Sequence, residues 1–175
     1  MTDRTEHAFL GEEFLTWLWY RSETGRSTFT LRDRTEVGVS LDDFLCIGGS
    51  EDETEQTLRR GLPTRSSEAT AALASGKRLV KARLILAAQH DEWTLTLDGP
   101  RFACASVRRN SAEEATDSPE ARDIERIESF VRVGELLDGI YTIFLEDRLQ
   151  ESFSTSTLSG MRSWVAERAN VGKLR

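Results

Sequence analysis

The chain has 175 residues with a net charge of −7, and 38% of them are hydrophobic and 30% charged. That length suits one domain whose core needs no disulfide or metal staple. Twelve Gly and three Pro exclude a collagen-like or Pro-rich chain, two Cys exclude a disulfide framework, and no apolar window approaches the roughly 18 residues of a membrane span.

Residues 9–23 place Leu10, Phe14, Trp17 and Leu18 at i, i+4, i+7 and i+8, which predicts an amphipathic helix with Trp19 beside its stripe. Trp17, Trp19 and Tyr20 give it a large burial payload, while Glu12, Glu13 and Glu23 fall mostly off that face. Residues 24–35 are polar and hold a loop or a short strand at Thr28–Leu31. Residues 36–48 alternate and read as two short strands around an Asp42-Asp43 turn. The acidic run Glu51-Asp52-Glu53 reads as solvated rather than metal-binding. Residues 54–60 read as a strand leading into Gly61-Leu62-Pro63.

Ser66 or Ser67 as N-cap, Glu68 in the first turn and Gly76 at the C′ position predict a helix of about two turns. A strand over residues 77–86 follows. Alternation puts Val80, Ala82, Leu84 and Leu86 on one face and Lys77, Lys81 and Arg83 on the other. The second set is a basic stripe about 20 Å long. His90-Asp91 predicts a turn, residues 92–98 a second strand with Trp93, Leu95 and Leu97 on one side, and residues 102–108 a third. Residues 108–118 read as an exposed linker. Ser118-Pro119-Glu120 opens a long helix over about 119–148, with an apolar stripe through Ile124, Ile127, Val131, Leu137 and Phe144. A polar connection, a last helix from Leu158 to Ala169 and a frayed tail complete the chain. The expected fold is α+β: one domain over 1–175, an antiparallel sheet of about five to six strands and four helices.

The charge is segregated. Residues 1–55 carry a net −8, residues 56–112 a net +6 and residues 113–175 a net −5. Twenty of the 23 basic residues are Arg, whose planar fork suits phosphate or carboxylate. A basic centre attracts anions by its local field whatever the net charge. Pairing with the acidic flanks inside the monomer is the competing reading. No P-loop, GxGxxG or GxSxG motif is present, and Gly76-Lys77 follows a helix instead of opening one. His90 near Cys104 reads as a turn residue rather than half of a Cys/His pair. The expectation is therefore no enzyme, no catalytic residue, no metal and no cofactor. The N-terminus lacks a secretory pattern, so the expected compartment is the cytoplasm.

The segment Phe9-Leu10-Gly11-Glu12-Glu13-Phe14-Leu15-Thr16-Trp17-Leu18-Trp19-Tyr20-Arg21-Ser22-Glu23 resembles divergent bacterial members of the recombination-associated protein RdgC family. The resemblance continues through Gly61, Pro63, Ser67-Glu68-Ala69, Gly76-Lys77, Ala82-Arg83-Leu84 and Trp93, within roughly the first 100 residues. It implies a non-enzymatic, sequence-independent DNA-binding protein able to form a ring-shaped dimer. Lys77, Lys81 and Arg83 would then contact the phosphates of double- or single-stranded DNA, helped by Arg59, Arg60, Arg78, Arg108 and Arg109. Family members carry a substantial region ahead of this motif, and only eight residues precede it here. The alternative is a shortened relative that has lost DNA binding and serves as a protein–protein interaction module, such as a homodimer.

Overall fold

A computed structural model describes residues 8–48, 56–59, 63–110 and 118–171. Among them are six strands, β1 (Thr28–Thr30), β2 (Glu36–Gly48), β3 (Gln56–Arg59), β4 (Arg78–Ala88), β5 (Asp91–Asp98) and β6 (Ala103–Arg109). Four α-helices accompany them: α1 (Ala8–Glu23), α2 (Ser67–Ala74), α3 (Pro119–Arg148) and α4 (Leu158–Val171). All pairings are antiparallel, in the order β1-β2-β4-β5-β6, with β3 also on β2. The chain is thus the expected α+β fold.

One face of the sheet supplies half the core. Val39, Leu86 and Trp93 lie across from one another on β2, β4 and β5, and so do Leu45, Ala82 and Leu97; all are buried. Helix α1 packs on β4 and β2. Its other sides meet α3 and α4: Phe14 meets Tyr141 edge to face and Phe144 at a tilt, and Trp19 meets Trp164 edge to face at 5.3 Å. Phe14, Leu15, Trp17, Leu18 and Trp19 are essentially inaccessible, so the helix is a central rod rather than a surface element. It also comes very close to the β5–β6 turn. A Cβ at Gly11 would overlap the Gly99 carbonyl.

Two local expectations are corrected. Residues 36–48 form one 13-residue strand, and Asp42-Asp43 is not a turn. Three β2 residues, Asp42 to Phe44, lie between the partners of Leu84 and Ala82, a bulge that keeps Leu41 and Leu45 on the core side. The β4–β5 turn is Gln89-His90, with Gln89 at φ 58 and Asp91 already in β5.

Helix α3 begins and ends as expected, and Leu137 and Phe144 of its expected stripe are buried, but the first half of the helix turns that stripe outward. Ser129, Val133, Leu136, Leu137, Ile140 and Phe144 meet the core. Ile124, Ile127 and Val131 lie on the opposite side, 57%, 65% and 58% exposed. The 3–4 spacing runs along both sides of the helix, and only contact with the sheet and α1 selects one. Before α4 the chain makes a π-helical turn, Phe153–Thr157, which inserts Phe153 into the core.

Candidate functional site

The predicted basic stripe divides at the start of β4. Cys46 lies opposite Lys81 and Ile47 opposite Leu79, so β4 carries one extra residue, Val80. Leu79 and Val80 are both buried, and the simple alternation stops there. Lys77 lies before the strand, in the turn that closes α2. That turn is a Schellman motif: Gly76 has φ +92, its N–H donates to the Leu73 carbonyl, and the Lys77 N–H donates to the Ala72 carbonyl.

Past the bulge, Lys81 and Arg83 occupy the sheet face turned away from α1. Each has a carboxylate. Lys81 Nζ is 3.3 Å from Asp98 Oδ2, and Arg83 donates to Asp43 Oδ1 at 2.6 Å from the β2 bulge. Arg101 also reaches Asp98, and Arg109 pairs with Asp91. The side chain of Arg59 and all of Arg60 lie outside the described residues. Lys77 and Arg108 have no acidic partner among the described residues. Arg108 lies opposite Thr94, itself opposite Ile85. Eight residues of chain separate Ile85 from Lys77, roughly 26 Å along the strand. The structure therefore does not bring these two cations together, and the cations between them are internally paired.

Lys77 instead joins residues that its sequence position gave no sign of meeting. A cleft of ≈ 610 Å³ opens between α1, the end of α2 and α4. Lys77, Arg78, Arg148 and Arg162 border it, with Glu12 and Glu13 of α1. Arg78 donates to Glu12 at 3.3 Å and Arg148 donates through Nε to Glu13 at 2.8 Å. Glu12 is only 1% exposed, so its ion pair is a structural one. Glu23, at the other end of α1, receives Arg168 of α4 at 2.6 Å. The three glutamates that the helical pattern left off the apolar face thus hold an Arg from β4, α3 and α4 in turn. No local motif could reveal this, since the partners stand 66, 135 and 145 residues away.

Among the described residues no three His, Cys, Asp or Glu side chains are grouped to hold a metal. The Cys104 thiol is pushed up by burial and then by Asp138, which makes it a poor nucleophile. Cys104 lies opposite Leu97, seven residues and roughly 23 Å along β5 from His90, so the two form no pair. No helix among the described residues is long and apolar enough to cross a membrane. No family model, curated protein or solved structure matches the chain.

Proposed function

We propose that this chain is a non-enzymatic interaction module that pairs with a second copy of itself through the first half of α3. The carrying observation is the exposure of Ile124, Ile127 and Val131 on the helix face opposite the core, with Phe130 beside them and half exposed. Their 3- and 4-residue steps match the seam of a two-helix pair. Two ion pairs lie along this stretch of the helix, Arg126 with Asp123 at 3.8 Å and Arg132 with Glu135 at 3.2 Å, while Glu125 and Glu128 have no basic partner among the described residues. A seam of two turns is small beside the roughly 1,200 Å² of a stable interface, so the dimer is expected to be weak and concentration-dependent. Sedimentation equilibrium tests this. An Ile124→Ser, Ile127→Ser, Val131→Ser variant should stay monomeric with an unchanged circular dichroism spectrum. A wild-type chain that is monomeric at hundreds of micromolar would end the reading.

Sequence-independent DNA binding, as in the recombination-associated family, is the second reading. Lys77 and Arg108 favour it, since both keep their charge uncompensated among the described residues. Labelled duplex and single strand, titrated across a salt series, decide it. Salt-sensitive binding that a Lys77/Lys81/Arg83 triple Ala variant weakens supports DNA contact. Absence of binding at low salt rejects it.

A further inference from the structure

The cleft between α1, α2 and α4 is built unlike the rest of the surface. The chain carries a net −7, yet four cations and two carboxylates border this opening, a local excess of two positive charges. Both carboxylates are already held, Glu12 by Arg78 and Glu13 by Arg148. Each guanidinium spends one N–H on its glutamate and has others left. Lys77 and Arg162 have no acidic partner among the described residues. Leu73, Met161 and Val165, from α2 and α4 and all less exposed than Arg162, give the cleft an apolar floor, beside Phe9 and Thr16 of α1. The ≈ 610 Å³ volume falls within the range of small-molecule sites.

We infer that this cleft binds an amphipathic anion, a carboxylate carried on an aliphatic chain, with the head at Lys77 and Arg162 and the tail on the α2–α4 floor. A bare phosphate or a metabolite charged throughout would leave the floor wetted. A neutral alkane would make no use of the two cations at the rim. The two features together select a ligand with one charged and one apolar end. Lys77 is well placed for the head group. Its backbone N–H is fixed by the α2 Schellman turn, so its side chain starts from a rigid base.

The test is isothermal titration calorimetry with decanoate below its micellar concentration, beside decanol and decyltrimethylammonium. Decanoate should bind and the cation should not, with decanol at least ten-fold weaker than decanoate. Octanoate, decanoate and dodecanoate should tighten stepwise, up to about four-fold per methylene. A Lys77→Gln, Arg162→Gln variant should lose ten-fold or more of the decanoate affinity, while Arg108→Gln, far along the sheet, should lose none. Neither cleft cation holds an ion pair among the described residues, so the variant keeps the structural pairs of α1. Equal affinity for decanol and decanoate, or an affinity unchanged in the double variant, would overturn the proposal. So would the absence of decanoate binding.

Discussion

Helix α1 and the first half of α3 carry apolar residues at similar spacing, and they end in opposite environments. Around α1, the sheet, α3 and α4 bury its aromatic residues, and even its carboxylates meet arginines. Along the first half of α3, the face through Ile124, Ile127 and Val131 meets solvent. A 30-residue helix is about 45 Å long, more than the core beside it covers. The lesson is that periodicity gives a helix an apolar face, but the number of neighbours decides whether that face is a core or a docking surface.

The largest expected effect breaks the comparison directly. Phe14→Ala should cost about 3–5 kcal/mol of unfolding free energy, because Phe14 is fully buried among Trp17, Tyr141 and Phe144. Ile127→Ala should stay within about 0.5 kcal/mol at concentrations where the chain is monomeric. Urea denaturation at low micromolar protein measures both. A cost at Ile127 close to that at Phe14 would show that the exposed half of α3 is covered within the monomer.

The same contrast holds among the arginines. Arg78 reaches a carboxylate that is almost completely buried, whereas Arg83 and Asp43 are 38% and 41% exposed. Arg78→Ala leaves Glu12 without that partner in a dry setting and should cost about 1–3 kcal/mol, discounted because Arg78 itself is 55% exposed. Arg83→Ala should cost less than about 1 kcal/mol, since both ends of its pair are wet. Equal costs would mean that the β2 bulge depends on Arg83 as much as α1 depends on Arg78.

How far the sequence carried these conclusions depends on the range of the interaction. Helix ends were legible because caps act within a few residues. Ser66 accepts the Glu68 N–H, Gly76 takes the left-handed φ, and Pro119 opens α3. The strands read over 77–86 and 92–98 were legible for the same reason, and they form at 78–88 and 91–98. The bulge at Asp42–Phe44 was not, because two adjacent Asp residues favour a turn locally, and the pairing with β4 that keeps them extended is long-range. The cleft was illegible altogether except for Lys77 and Arg78. Glu12, Glu13, Arg148 and Arg162 come from opposite ends of the chain, and each alone reads as an ordinary surface charge. The alternation around Lys81 and Arg83 was right past Val80, but their partners Asp98 and Asp43 sit on neighbouring strands whose register had to be known.

The last comparison concerns the indoles, and it sets α1 against the sheet it covers. Trp17 Nε1 donates to Asp147 Oδ2 at 3.1 Å, a bond from α1 to the last turn of α3. Asp147 also accepts from Thr157 in the π-helical turn, at 3.4 Å. Trp93, on β5, is as deeply placed, but its indole N–H has no acceptor among the described residues. Replacing either Trp by Phe removes a similar volume, so the packing losses largely cancel in the comparison. What differs is the polar group. At position 17 the change breaks a hydrogen bond to a carboxylate; at position 93 it removes a buried donor that gains nothing from being there. Trp17→Phe should therefore be less stable than Trp93→Phe by about 1–2 kcal/mol in the same urea titration. The reverse order would mean that the Trp93 ring is the tighter fit. The link from α1 through Asp147 to the turn before α4 would then contribute little to holding the central helix in place.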